Sequence, residues 1–167
     1  GSSISFSSSK DATYMYIESL SNNIDETLEI AKEKLFTPAF NSEDFNRVKK
    51  QIIESIEAED KNAQNIASKV YSRKLFGNTA FGLSASKKTI NKIKLKNIKQ
   101  YYENFYRPNL TSIIVVGDIS QKDLLTKLSF LEEWSGEEVN LPKPEEIKFP
   151  EDANTQIYIV DKPGAAQ

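Results

Sequence analysis

Neither histidine nor cysteine occurs anywhere in this chain of 167 residues. No disulfide and no zinc finger can therefore staple its fold. Chemistry loses its usual near-neutral base, its commonest metal ligand and its soft covalent nucleophile. A Ser-His-Asp triad, a Cys-His dyad and a His-held zinc site are all excluded within the chain. Catalysis would have to rest on carboxylates, lysine, tyrosine or an ion held by oxygen alone.

The length suits one domain with a short overhang and suffices to bury a core. Hydrophobic residues at 38% and charged residues at 28% read as soluble and globular rather than disordered. The 22 Lys+Arg against 24 Asp+Glu leave a net charge of -2, no electrostatic footprint for nucleic acid or an anionic membrane. No apolar run approaches the roughly 20 residues of a membrane span. The amino end, Gly1-Ser2-Ser3-Ile4-Ser5-Phe6, lacks the basic start and apolar stretch of a signal peptide. Zero cysteine leaves the compartment open.

Ile4 and Phe6 alternate with serines, and Thr13, Met15 and Ile17 alternate with Tyr14, Tyr16 and Glu18. This predicts a β-hairpin turning through residues 7–11. A helix follows, with Ile24, Leu28, Ala31 and Leu35 on one stripe, and Thr37-Pro38 breaks it. The next helix has the clearest pattern. Asn41 or Ser42 caps it, Glu43 and Asp44 load its first turn, and Phe45, Val48, Ile52, Ser55 and Ile56 recur at helical spacing. A third begins near Asn62, carries Ile66, Ala67, Val70, Tyr71 and Leu75, and stops at Gly77. A short helix over 88–93 leads into another from Lys96, with Ile98, Tyr101, Tyr102 and Phe105 inward. The β-branched run 111–116 reads as a buried strand. Ser120 and Asp123 form an acidic capping box for a helix carrying Leu124, Leu125, Leu128 and Leu131. Residues 134–152, rich in Pro and Glu without a period, read as a linker, and 156–160 as a final strand that opens a further domain.

Four features offer chemistry, each beside a plainer reading. Glu54, Glu57, Glu59 and Asp60 can bind an oxygen-loving cation or simply be a solvated helix face. Lys87, Lys88, Lys92, Lys94, Lys96 and Lys99 can meet phosphates, but near-zero net charge favours a solvated face. The glycines of 77–82 fit neither a P-loop nor a dinucleotide fingerprint. Tyr101, Tyr102, Phe105 and Tyr106 can stack bases, although their helical spacing makes packing the default. The residues alone thus support an α+β domain, a piece of something larger, with no nominated active site.

Taken in order, five stretches resemble the pitrilysin/insulinase-type M16 zinc metallopeptidases. They are Ser5-Phe6-Ser7-Ser8-Ser9-Lys10-Asp11; Pro38-Ala39-Phe40 with the helix 44–60; and Leu75-Phe76-Gly77 with Phe81-Gly82-Leu83. The last two are residues 102–109 with Val115-Val116-Gly117-Asp118, and Val160-Asp161-Lys162-Pro163-Gly164-Ala165-Ala166-Gln167. The resemblance implies an α+β fold of the LuxS/metallohydrolase-like type, a mostly antiparallel sheet flanked by helices, in modules that pair around a peptide. It implies a partial module at 1–133 lacking its first strands and helix, a linker at 134–153, and the first strand of a following module at 154–167.

Active members bind zinc through an inverted His-x-x-Glu-His, which the resemblance places before Gly1. They also carry two glutamates seven residues apart on the second helix, the later one a zinc ligand. In this chain Val48 and Ser55 fall at those two positions, and neither is a carboxylate. A slip of one residue puts Glu54 in the ligand slot, but misaligns Arg47 and Ile52-Ile53. The resemblance thus implies a module without catalytic or metal residues, with zinc in a catalytic module of the same chain or of a partner subunit. Peptide substrate would be enclosed between modules, and 134–152 would act as a hinge. The alternatives are a structural core-protein-like subunit without proteolysis and a stand-alone protein-binding module. The family resemblance points to a bacterial periplasm or cell envelope.

Overall fold

Serine and apolar residues alternate at the amino end, and that alternation sorts the two faces of an antiparallel hairpin. In the structure, a computed structural model describing residues 1–141 and 154–164, β1 (Ser2–Ser8) pairs with β2 (Thr13–Ser19). The register sets Ile4 opposite Ile17 and Phe6 opposite Met15, while Ser5 and Ser7 face Tyr16 and Tyr14. The strands run past Ser7, so the turn is shorter than the sequence suggests. Ser9 closes it, donating its N–H to Ala12 O (2.8 Å) and its hydroxyl to Asp11 Oδ1 (2.5 Å).

Six α-helices complete the described residues, and two compact units divide them. The first joins Gly1–Asn41 to Leu95–Leu141. Its α1 (Ile24–Phe36) starts with Asp25 and Glu26 where the helix dipole favours acid. The helix ends one residue before Thr37-Pro38, as expected, and Thr37 donates back to Glu33 O. Leu28 and Ala31 are buried, and Ile24 and Leu35 half-buried, so the anticipated stripe is the packed one. Thr27 is buried beside them, its Oγ1 lying 2.6 Å from Asn23 O, 2.9 Å from Ser2 Oγ and 3.0 Å from Ser19 Oγ. With Ser2 and Ser19 also 3.0 Å apart, three hydroxyls fasten the open end of the hairpin to α1.

Aromatic rings extend this unit. Phe36 packs edge-on to Phe130 and against Trp134, at 6.1 and 6.0 Å between centroids. α5 (Leu95–Phe105) docks through Tyr102, whose hydroxyl donates to Leu35 O (2.5 Å) and whose ring meets Phe40 at 5.4 Å. Ile98, Tyr101 and Phe105, expected inward, instead lie exposed, the two rings tilted against each other, because the Tyr102 side of α5 is the one that meets α1. α6 (Gln121–Lys127) begins where Ser120 Oγ accepts from Asp123 N (3.1 Å), the acidic cap read from the sequence.

The second unit takes in Ser42–Lys94 and, among the described residues, 154–164. α2 (Ser42–Glu59) and the short α4 (Lys87–Lys92) are clamped together at both ends. Lys49 Nζ donates to Asn91 O (2.9 Å) and Ile93 O (2.7 Å) at the carboxyl end of α4, and Lys87 pairs with Glu57 at the other. α3 (Ala63–Phe76) is capped by Asn62, which accepts from Asn65 N, and ends at Gly77 with φ +57°. Ile66 and Val70 turn inward, while Tyr71 and Leu75 face out. A Cβ on Gly82 would come within 2.1 Å of Gly77 O, so the loop between them closes backbone on backbone.

The strand expected over 111–116 has no ladder partner among the described residues, and Ile114 and Val116 are 88% and 94% exposed. Residues 156–160 are likewise unpaired there. β-branched composition favours an extended backbone, but a sheet also needs a neighbour, which composition does not specify. Most of the expected linker 134–153 and the closing Ala165-Ala166-Gln167 lie outside the described residues.

Two substitutions test these anchors in urea denaturation. Thr27→Val keeps the shape but breaks the hydroxyl ring, and should lower stability by about 1–2 kcal/mol. Lys49→Met should cost about 2 kcal/mol by removing the charged donor from the end of α4.

Candidate functional site

The helix on which the sequence places any metal ligand is α2, so its faces decide the question. Phe45 and Lys49 are half-buried and Ile56 is only 6% exposed, defining the packed line. Val48 and Ile52, expected inward, are instead 43% and 42% exposed, and Ser55 is exposed beside them. Lys49, which reaches the α4 carbonyls, lies on this packed line together with half-buried Ile53, and the side carrying 48, 52 and 55 is the more exposed one. Positions 48 and 55 are almost two turns apart and share a face. That face presents methyl groups and one hydroxyl.

The acidic cluster does not converge. Glu54 sits 3.7 Å from Lys50 on its own helix, and Glu57 Oε1 lies 2.5 Å from Lys87 Nζ. Glu59 and Asp60 both bind Lys69, at 3.4 and 2.9 Å. Three lysines thus divide the four carboxylates, Lys69 holding two of them, and among the described residues no three acidic groups are placed to hold a metal ion. The hydrogen bond from Lys87, reinforced by its charge, holds the Glu57 carboxyl below its ordinary range. The hydrogen bond to Asp60, with help from Glu59, holds Lys69 above its usual range against a smaller effect of burial.

The remaining candidates are likewise dispersed. Lys87 serves Glu57, while Lys99 belongs to the other unit, 5.9 Å above the Phe40 ring. The Tyr102 and Tyr106 rings meet at a tilt, 4.9 Å between centroids, and burial raises both phenols above their usual range, with Tyr106 adding to it at Tyr102 and Tyr101 at Tyr106. They serve packing; Tyr102 is committed to Leu35. The 77–82 loop is held by the Gly77–Gly82 approach and by Thr79 Oγ1 donating to Phe76 O (2.8 Å). Nothing in the sequence marks Lys49 as the residue that ties α2 to α4, since a lysine between two apolar positions reads as surface.

Comparison with known families settles the ancestry. The insulinase (peptidase family M16) profile matches residues 1–89, and the peptidase M16 inactive domain profile matches residues 92–167. The chain belongs to the M16 peptidase family. An M16 relative in Helicobacter pylori, named non-peptidase homolog YmxG, is 26% identical over 129 residues, covering 76% of this chain and 30% of its own length. Another, in Bacillus subtilis, is named uncharacterized zinc protease YmxG and is 22% identical over 153 residues, covering 87% of this chain and 36% of its own. The chain therefore spans about a third of the length of these M16 relatives. Among the described residues of this M16 chain, no helix is long and apolar enough to cross a membrane.

The Glu57–Lys87 pair predicts a specific acid response. A carboxyl whose folded pKa lies below its unfolded one stabilises the fold above the ordinary carboxylate range, and that stability is lost as pH falls through the folded value. The stability difference between wild type and Lys87→Met should be present at neutral pH and shrink below about pH 4, read as converging urea midpoints.

Proposed function

We propose that this chain is a non-catalytic module of an M16 protein, built to shape a peptide chamber rather than to cut. The observation that carries this reading is the outward face of α2. At the positions where active members carry glutamates stand Val48 and Ser55, and the nearby carboxylates are drawn to lysines. This donor set does not fit zinc, which needs side-chain nitrogen, sulfur or carboxylate oxygen. A slip to Glu54 does not repair it, because neighbouring helical positions differ by about 100° in direction and Glu54 faces Lys50.

In this reading the chain contributes a LuxS/metallohydrolase-like module with a mostly antiparallel sheet, and zinc belongs to a catalytic module elsewhere in the parent or in a partner subunit. Residues 134–153 link it to a following module whose first strand starts near 154. A core-protein-like subunit without any proteolysis is the second reading, and the name non-peptidase homolog on one relative favours it.

The full-length protein separates these outcomes. Glu54→Gln should leave its zinc content, measured by elemental analysis, equal to that of wild type. Loss of one zinc equivalent in Glu54→Gln would overturn the non-catalytic module. Peptide hydrolysis by the wild type supports the chamber role, and its absence together with absent zinc supports the structural subunit.

A further inference from the structure

The stretch read from the sequence as a linker begins with a seated segment. Trp134 is half-buried against Phe36, and just before it Glu133 pairs with Lys32 at 3.1 Å. Five residues on, Val139 meets the turn that follows α5. Asn109 Nδ2 donates to Val139 O (3.0 Å), and Val139 N–H faces Asn109 Oδ1 (3.5 Å). The side-chain amide thus reads both backbone groups of one residue, as a strand neighbour would. Between these anchors Gly136 lies flat on Arg107, where a Cβ would come within 2.3 Å of Nη1.

We propose that residues 134–140 form a latch, seated on Arg107 and Asn109 when closed and released as a unit. Arg107 Nε is buried without a hydrogen-bond partner among the described residues. A buried donor left unmet penalises the closed state, and opening restores its hydration. The latch is therefore held by two end anchors against a built-in cost at its centre. Its release frees seven residues, about 23 Å of extended chain. This inference rests on the reading of 134–153 as an intermodule linker. It makes the reach of that linker switchable: with the latch closed, the hinge starts after Asn140.

Amide hydrogen exchange on the full-length protein tests it. Val139 N–H should exchange more slowly than an unstructured amide. Asn109→Ala should speed it about fivefold or more while the amides of α1 stay protected. Gly136→Ala, which pushes the guanidinium aside from the other anchor, should accelerate cleavage after Glu137 or Glu138 by a glutamate-specific protease. Unstructured exchange at Val139 in the wild type overturns the latch. So does wild-type exchange in Asn109→Ala together with unchanged cleavage in Gly136→Ala. Neither result touches the zinc measurement, so the latch and the module reading fail separately.

Discussion

The attraction of one ammonium group to the end of a short helix fastens the helix on which the functional reading depends. Lys49 reaches two carbonyls at the close of α4, where the helix leaves acceptors unpaired and its dipole is negative. Meeting them requires α2 to turn its Phe45–Lys49–Ile56 line toward α4. Everything seven residues apart on the neighbouring face, Val48 and Ser55 included, must then look outward. Phe45, Ile53 and Ile56 supply the apolar contacts of the same line.

The two units solve the shortage of buried apolar surface differently. The first fastens a hairpin to α1 with hydroxyls and then extends by ring-on-ring contact from Phe36 to Phe130 and Trp134. The second relies on ion pairs and caps around α2. In both, few side chains are buried among the described residues, with Leu28, Ala31 and Ile56 the hydrophobic ones. Polar anchors therefore carry an unusual share of the specificity.

Local features were legible where local chemistry decides them. The hairpin alternation, the Ser120 cap, the start of α3 near Asn62, the Pro38 stop and the Gly77 terminus all read directly, because each is settled within a few residues. The inward stripe of α1 was also legible. What the sequence could not disclose was which side of α2, α3 and α5 meets a neighbour: Val48, Tyr71 and Tyr101 look equally suited to either side until the partner helix is placed. The 111–116 run shows the same boundary, since strand propensity is local and strand pairing is not. On α2, that positions 48 and 55 carry no carboxylate is plain in the sequence, whereas the lysine pairing of Glu54, Glu57, Glu59 and Asp60 needed coordinates.

The meeting of Gly77 with Gly82 has a further implication for how this chain can vary. Two main-chain segments touch with no side chain between them, so the space at position 82 is already filled by a peptide oxygen. No rotamer choice can relieve a methyl group there; only the backbone can move. Residue 82 thus behaves as a steric lock that admits one amino acid, while Asn78 and Ala80 within the same loop remain open to drift. A library of random substitutions should record that contrast as a sharp notch at one position within a tolerant surface loop.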